Sequence, residues 1–458
     1  MIDPPGPDGA PLSLAQDGSR SKETTDFLET VDRMFAAGAR QQMRSLAPGD
    51  GEPISDAMLL LSGGSQNGAF GAGFLAEWSR LRERRGKQGL PRFRLVTGIS
   101  TGALQSTFAF LNEAALIEQN YTIASEADLL DIFTPGGGLR SESPVGRLRG
   151  ALSLARRGAL SDLQPLREKL AGTKGKEAEA LISDAVLLRV ADEAGPDPDH
   201  PRRMLLVGAV EMDTGDAFVF DLTKAARLYK EGQTWMRACY IEALMASASV
   251  PMAALPVFID GKMYIDGGAR FGVISDFSAY LYQRVAQQRQ AERRAEARAK
   301  GIILPDPLPA EPMYLYMLVN GTLEAGHTCH LRDCAKHPLP PPDSPMAGQH
   351  GAWSIDKVGL RAMSILINQS YRSSVFWATT RSQDLGFHPL FARIEDDAGR
   401  HPARLDMDVP GGEELTCELW RRRDVEKSRP LEFHPRYMRC LISYGAKRAA
   451  TEDWARHD

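Results

Sequence analysis

The stretch LLLSGGSQNGAFGAGFL, from Leu59 to Leu75, decides the fold. It starts as an apolar run, which predicts a strand over Ala57–Ser62, and then becomes a glycine loop that leads into a helix over about Gly68–Arg84. Its glycines are Gly63, Gly64, Gly68, Gly71 and Gly73. A backbone with so few side chains has three possible functions. It can bind a phosphate, allow a tight packing contact, or direct N–H groups at a negative charge that forms during a reaction. The spacing G-x-x-G-x-G is not the dinucleotide pattern, and the chain contains no G-x-x-x-x-G-K-[ST].

Strands and helices alternate after this stretch. The further predicted strands are Phe93–Gly98, Arg203–Met212 and Met313–Gly321. The predicted helices begin near Gly102 and cover about Thr234–Ser247 and Ile355–Thr379. The segment TGDAFVFDL predicts a hairpin behind the third strand. Alternation of this kind indicates an α/β fold with a mostly parallel central sheet covered on both faces.

Composition narrows the classes of protein. The chain has 458 residues, 43% of them hydrophobic and 25% charged, which is typical of a soluble globular protein. Its net charge of -4 argues against nucleic acid as a partner. No apolar run approaches the ~20 residues of a membrane-spanning helix, and the first residues lack a secretory pattern, so a cytoplasmic protein is expected. The few, odd and scattered cysteines fit a reducing compartment better than a disulfide framework; they are Cys239, Cys329, Cys334, Cys417 and Cys440.

The segment LVTGISTGAL contains G-x-S-x-G, with Ser100 between Gly98 and Gly102. It stands after an apolar strand and before a helix, which is the context that a nucleophilic serine on a sharp turn requires. The alternative is a strand-to-helix turn in which Ser100 only caps the helix.

A serine nucleophile needs a base. None of the nine histidines stands in a glycine-flanked or strand-end position, and His388 and His434, each between Phe and Pro, are the best of them. Asp266 is the better partner, because the apolar strand end in KMYIDGGAR leads its carboxylate into two glycines. Taken alone, DGG is equally typical of a β-turn.

Three stretches in this order resemble the patatin-like phospholipases: the glycine loop Ser62–Gly68, G-x-S-x-G at Ser100 and D-G-G at Asp266. Two softer stretches, AVEMDTGDAFVFD and ALMASASVPMAALPVFIDGKMYIDGG, agree with it. The resemblance covers about Ala57–Gly321.

The resemblance implies a three-layer α/β/α fold and a lipid acyl hydrolase that uses a Ser–Asp dyad without histidine. It implies that Ser100 is the nucleophile and Asp266 its base. The implied oxyanion hole consists of Gly63, Gly64 and Ser65, and the implied supporting residues are Asn67, Gly68, Gly98, Gly102, Gly267 and Gly268. No cofactor or metal is implied. The implied partner is a phospholipid or other acyl-ester lipid, reached at a peripheral membrane surface.

The glycine loop departs from the family pattern D-G-G-G-x-R/K-G. Ser65 stands where the family has glycine, and Asn67 stands where it has a cation. A β-carbon at Ser65 restricts positive φ, so this departure leaves a catalytically silent protein possible. Two alternatives to the hydrolase with a Ser–Asp dyad therefore stay open, the second of them independent of the loop. One is a catalytically silent lipid- or protein-binding module, and the other is an α/β-hydrolase esterase whose triad includes His388 or His434.

The predicted organisation has four parts. A disordered tail covers 1–20, and a helical extension covers 21–55. The catalytic domain covers 56–325 and contains insertions near 134–162 and 283–301. A helical or irregular extension that packs on this domain covers 326–458. The Arg- and Leu-rich run Leu139–Arg157 is either an interfacial lid or a solvated basic face. The spacing in HTCHLRDCAKH, His327–His337, matches no common zinc motif and favours a polar loop.

Overall fold

The computed structural model describes most of the chain from residue 54 onward. The described residues are 54–133, 145, 158–173, 179–195, 202–274, 294, 297–303, 313–323, 355–384, 387–407, 411–451 and 454. The predicted N-terminal tail, almost all of the predicted N-terminal helix, most of both insertions and His327–His337 lie outside these residues. The division into domains stays a prediction.

Strands and helices alternate as predicted. The strands are β1 (Ser55–Leu61), β2 (Phe93–Ile99), β3 (Asp131–Ile132), β4 (Ala159–Asp162), β5 (Met204–Glu211), β6 (Ala217–Asp221), β7 (Met252–Ala254), β8 (Val257–Ile259), β9 (Lys262–Asp266), β10 (Met313–Val319), β11 (Phe387–Arg393), β12 (Pro402–Leu405) and β13 (Glu413–Thr416). The α-helices are α1 (Gly68–Arg84), α2 (Thr101–Phe110), α3 (Ala114–Tyr121), α4 (Gln164–Ala171), α5 (Asp184–Ala194), α6 (Leu222–Lys230), α7 (Met236–Ala248), α8 (Ile355–Asp384), α9 (Cys417–Ser428) and α10 (Pro435–Thr451). Within the described ranges, no helix combines the length and apolar character needed to traverse a bilayer.

An eight-stranded sheet forms the middle layer, in the order β11-β10-β1-β2-β5-β9-β8, with β6 also paired to β5. The strands β11, β10, β1, β2 and β5 run parallel to one another. The strands β6 and β9 run antiparallel to β5, and β8 antiparallel to β9. The predicted α/β fold with a mostly parallel sheet is therefore confirmed. Because parallel strands end at the same edge, the loops after β10, β1 and β2 lie side by side.

Both faces of this sheet are buried, which explains why its strands read as continuous apolar runs. In β1, Leu59 and Leu61 face a core shared with α1, α2, α7 and α10. Met58 and Leu60 face the opposite core, which contains Tyr371 and other residues of α8. The two cores define three layers, with helices above and below the sheet.

A pair of glycines brings α10 against α1. A β-carbon at Gly73 of α1 would lie 2.0 Å from the Ile442 carbonyl oxygen, and one at Gly445 of α10 would lie 2.1 Å from that of Phe70. The two backbones therefore touch at their crossing. This contact fixes α1, and with it the loop that opens α1.

The antiparallel strand β9 continues the line of β2 along one edge of β5. Ile99, the last residue of β2, pairs with Gly208, and Asp266, the last residue of β9, pairs with the next residue, Ala209. The two strands thus approach each other head to head. Ser100 and Asp266, at the two strand ends, are brought together by this register.

The structure contradicts the expectation of a chain without disulfides. Cys417, at the first turn of α9, and Cys440, inside α10, form a disulfide with a Cα–Cα distance of 5.4 Å. Both residues are buried beside Trp420. Their pairing depends on how α9 packs on α10, so the scattered spacing in the sequence did not reveal it. Cys239 is a free thiol.

Breaking this disulfide is expected to destabilise the protein. The bond closes a loop of sequence separation 23, so Cys440→Ser should lower the free energy of unfolding by about 3 kcal/mol. Urea unfolding with and without reductant measures this, and reduced wild type should show a similar loss. Cys239→Ser is the matched control and should respond to reductant as wild type does. A wild type whose stability ignores the reductant would contradict the disulfide.

Candidate active site

Ser100 lies on a sharp turn between β2 and α2. Its backbone has φ 55° and ψ -124°, a left-handed conformation that non-glycine residues rarely adopt. The flanking glycines permit this turn: a β-carbon at Gly98 would lie 2.5 Å from the Gly102 carbonyl oxygen, and one at Gly102 would lie 2.4 Å from that of Leu61. Both glycines thus lie directly against neighbouring backbone. Strain of this kind at a single serine on the edge of a sheet is typical of a functional turn.

Asp266 ends β9 and is directed at Ser100. The Ser100 hydroxyl donates a hydrogen bond to its carboxylate, and the Gly268 N–H donates to Asp266 Oδ1 at 2.6 Å. The carboxylate is almost fully buried, with 3% of Asp266 exposed. Burial raises the pKa of Asp266 to about 6, while the hydrogen bonds from Ser100 and Gly268 oppose the rise. Gly267 begins the short 3-10 turn that follows.

The turn SASVP at the end of α7 holds both residues. The Ser100 N–H donates to Ser247 Oγ at 2.9 Å, and Ser247 Oγ donates to the Gly208 carbonyl oxygen at 2.6 Å. The Asp266 N–H donates to the Ser249 carbonyl oxygen at 2.9 Å. One turn therefore fixes the backbones on both sides of the Ser100–Asp266 contact. The S-x-x-x-P spacing is the sequence signal for this turn, although the spacing alone assigns no role to its serines.

The glycine loop runs beside Ser100 at the end of β1. A β-carbon at Gly63 would lie 3.1 Å from Ser100 Cβ, so the loop approaches the serine directly. Gly64 has φ 150°, and a β-carbon there would lie 1.8 Å from the Asn320 carbonyl oxygen. Ser65 has φ 50°, so it occupies the left-handed region despite its β-carbon. Gly64 and Ser65 are half-buried, which leaves this side of the loop open to a ligand.

Asn320, directly after β10, anchors the loop. Its N–H donates to Ser62 Oγ at 2.8 Å and its side-chain amide donates to the Ser62 carbonyl oxygen at 3.0 Å. Its Oδ1 accepts the N–H of Gly71 in α1 at 3.0 Å. Asn320 thereby connects the beginning and the end of the loop across the β1–β10 pair. Its place at a strand end is its only signal in the sequence.

Gln66 and His434 support the loop from the other side. The side chain of Gln66 is buried, and its Oε1 accepts hydrogen bonds from His434 N–H at 3.3 Å and from His434 Nδ1 at 3.1 Å. Nδ1 also contacts the Glu432 carbonyl oxygen at 3.1 Å. Asn67, which replaces the cation of the family pattern, contributes a backbone N–H to the Gly64 carbonyl oxygen at 3.0 Å. A β-carbon at Gly68 would lie 1.9 Å from Thr101 Oγ1, so the loop packs directly on α2.

The two favoured histidines lie elsewhere. The ring of His434 bonds to Gln66 and Glu432 behind the loop. His388 lies at the start of β11 and pairs with Tyr314 at the start of β10. Because β10 pairs with β1 and β1 with β2, His388 lies level with the start of β2. Ser100 follows the far end of β2, so His388 lies at the opposite edge of the sheet, about 20 Å away.

Tyr371 of α8 is a site residue that the sequence did not reveal. A β-carbon at Gly63 would lie 2.0 Å from its Oη, and one at Gly268 would lie 3.2 Å from the same atom. The hydroxyl therefore lies between the glycine loop and the segment that follows Asp266. Burial, and secondarily the charge of Asp266, raise the pKa of Tyr371 well above its ordinary value.

The fold and this arrangement define a patatin-like phospholipase domain. The family model described as patatin-like phospholipase matches residues 59–275, a range that contains the glycine loop, Ser100 and Asp266. The predicted resemblance is thus confirmed: residues 59–275 form a patatin-like phospholipase domain, the domain of a family of lipid acyl hydrolases.

Among solved structures, the chain is similar to VipD from Legionella pneumophila. The identity is 13% and the TM-score 0.28, over 72% of this chain and 68% of that chain. No curated protein matches the chain.

Replacing the buried carboxylate should change the pH dependence of stability. The carboxyl of Asp266 has a pKa of about 6 in the fold against an ordinary 3.8, so its contribution to stability is fully present below about pH 4 and is lost as the pH rises through 6. We expect Asp266→Asn, which keeps the shape, to be more stable than wild type at pH 8 by on the order of 2–3 kcal/mol. The difference should shrink towards pH 4.

Urea unfolding at pH 4, 6 and 8 measures this difference. Asp213→Asn, on the exposed hairpin turn, controls for the loss of one negative charge. A stability difference that stays constant over the whole pH range would contradict the raised pKa.

Proposed function

We propose that this protein is a lipid acyl hydrolase that cleaves carboxylic esters through an acyl-enzyme on Ser100, with Asp266 as the base. The observation that carries the proposal is the hydrogen bond from the Ser100 hydroxyl to the buried Asp266 carboxylate. A serine becomes a nucleophile when a neighbouring group takes its proton, and this carboxylate is the group in contact with it. The family supplies the substrate class, a lipid ester.

The raised pKa of Asp266 favours the role of base. An ordinary aspartate takes a proton poorly at neutral pH, because its pKa lies well below 7. Burial raises this pKa to about 6, which leaves the group ionised at pH 7 yet more basic than an exposed carboxylate. The same burial excludes water that would compete for its hydrogen bonds.

The proposed reaction has two steps, acylation of Ser100 and hydrolysis of the acyl-enzyme. Ser100 Oγ attacks the ester carbonyl carbon while its proton passes to Asp266, and the carbonyl electrons move onto the oxygen. The tetrahedral species collapses, the bond to the alcohol breaks, and the alcohol leaves with the proton from Asp266. A water then loses a proton to Asp266, attacks the acyl-enzyme and releases the fatty acid, and Ser100 regains its proton.

The glycine loop is the proposed oxyanion hole. Gly63 adjoins Ser100, and the half-buried Gly64 and Ser65 lie on the open side of the loop. Backbone N–H groups held rigidly here would stabilise the tetrahedral oxyanion, each by roughly 3–4 kcal/mol. The anchors Asn320 and Gln66 supply the rigidity, so the family cation absent at Asn67 is not needed to hold the loop.

Ester hydrolysis with fluorogenic acyl esters tests the proposal. Ser100→Ala and Asp266→Asn should each reduce kcat/KM by at least about 1000-fold. Wild-type kcat/KM should fall as the pH drops below about 6, because protonated Asp266 cannot accept the serine proton. Rates from stopped assays between about pH 4.5 and about pH 8.5 give the profile.

A histidine variant and a serine probe complete this test. His388→Ala should keep the wild-type rate, because His388 lies at the far edge of the sheet. A fluorophosphonate should label Ser100 in wild type and leave Ser100→Ala unlabelled. A wild type that neither hydrolyses esters nor reacts with the probe would contradict the proposal and identify a silent binding module.

Substitutions at Ser65 test whether the hole is built from backbone. Ser65→Gly keeps the N–H and relieves the left-handed β-carbon, so we expect activity equal to or above that of wild type. Ser65→Val places a β-branched residue at φ 50° and should reduce kcat by at least about tenfold through distortion of the loop. A Ser65→Gly variant with little activity would show instead that the serine hydroxyl takes part.

A further inference from the structure

We propose that the Tyr371 hydroxyl is a further donor of the oxyanion hole, supplied by α8 from outside the catalytic motifs. The inference rests on the proposed function and adds a side chain to a site otherwise built from backbone N–H groups. It extends that site to a helix beyond residue 275, where the family match ends.

Three glycines make room for the tyrosine. A β-carbon at Gly63 would lie 2.0 Å from Tyr371 Oη, one at Gly268 would lie 3.2 Å from the same oxygen, and one at Gly272 would lie 2.6 Å from Tyr371 Cγ. The side chain therefore passes between the D-G-G segment and the glycine loop, with its ring base at Gly272 and its hydroxyl at the other two. Any larger residue at these positions would displace it.

The hydroxyl lies close to both residues of the proposed dyad. The β-carbon position at Gly63 that lies 2.0 Å from Tyr371 Oη also lies 3.1 Å from Ser100 Cβ. The corresponding position at Gly268 lies 3.0 Å from Asp266 Oδ1. The tyrosine oxygen thus shares one small space with the nucleophile and the base. In the proposed reaction, the carbonyl oxygen of an ester attacked by Ser100 Oγ lies beside the glycine loop, where Gly63 adjoins both Ser100 and this hydroxyl.

The helix α8 is fixed to this site by a second residue. Ser374, one turn after Tyr371, accepts the N–H of Gly272 through its Oγ at 2.9 Å and that of Val273 at 3.4 Å. Ser374 is itself buried, and Val375 packs in the same core as Tyr371. The position of the phenol is therefore set before a substrate binds, as a preorganised donor requires.

The electrostatic setting keeps the phenol protonated. Burial and the neighbouring Asp266 charge raise its pKa, so it donates a hydrogen bond without losing its proton throughout the neutral range. A neutral O–H that faces a developing negative charge stabilises that charge as a backbone N–H does. The hydroxyl, which phenylalanine lacks, is the group that lies against the two glycines and close to the dyad, and it is the group to which the proposal assigns a role.

Tyr371→Phe tests the inference, with Tyr240→Phe as the matched control. Tyr240 is a buried tyrosine whose hydroxyl bonds to Thr107 at 2.8 Å in the core between α7 and α2. Both variants lose one buried hydroxyl. We expect Tyr371→Phe to lower kcat by about 10- to 100-fold with KM little changed, because the bond forms only in the transition state. Tyr240→Phe should keep the wild-type kcat.

The two proposals fail in different ways. An active wild type with inactive Ser100→Ala and unchanged Tyr371→Phe would overturn the role of Tyr371 and leave the proposed function standing. An inactive wild type would overturn both. Thermal melting shows whether Tyr371→Phe is folded. If this variant is less stable than wild type, the rate at which the fluorophosphonate labels its Ser100 gives a second measurement. A labelling rate equal to that of wild type would also overturn the inference.

The choice of leaving group separates an oxyanion donor from a proton donor. An oxyanion donor stabilises the charge on the carbonyl oxygen, so Tyr371→Phe should lose the same factor with p-nitrophenyl and alkyl esters. A loss confined to alkyl esters would overturn the inference, because it would show that the phenol protonates the departing alcohol.

Discussion

The hydrogen bond between Ser100 and Asp266 depends on two strands that meet end to end. β2 pairs with the first part of β5 and the antiparallel β9 with the part that follows, so the last residue of one strand faces the last residue of the other. Neither residue needs a long side chain to reach its partner. The contact is therefore as rigid as the sheet, and the SASVP turn, which bonds to the backbones of both residues, leaves little freedom in their separation.

The glycines of the opening stretch divide into two groups once the fold is known. Gly63 and Gly64 bring bare backbone against Ser100, Tyr371 and Asn320. Gly73 instead meets α10 at a backbone contact with Ile442. Both groups serve the site, because the packing of α1 against α10 fixes the end of the loop whose beginning faces Ser100. The stretch is thus neither a phosphate loop nor a packing contact alone.

The sequence was sufficient wherever a local pattern determines the structure. Apolar runs predicted the strands, and the turn chemistry of G-x-S-x-G and D-G-G located Ser100 and Asp266 at two strand ends. It was insufficient wherever a residue acts through a distant partner. Tyr371 lies in a long helix with no motif, and Asn320 is separated from Ser62 by 258 positions. The same holds for the Cys417–Cys440 bond, whose partners meet only after α9 and α10 have packed.

Two unfavourable features at the centre of the site show what the surrounding fold must supply. Ser100 holds a left-handed backbone that costs on the order of 1–2 kcal/mol, and Asp266 keeps its carboxylate almost fully buried. Neither would persist in a flexible loop, because relaxation of the turn or entry of water would remove both. Both features persist because Ser100 follows a buried strand and Asp266 ends another strand. In addition, α7 and α8 hold the adjoining turns through hydrogen bonds of Ser247 and Ser374. The helices beyond the three motifs are therefore part of what holds Ser100 and Asp266 in the geometry that the proposed reaction requires.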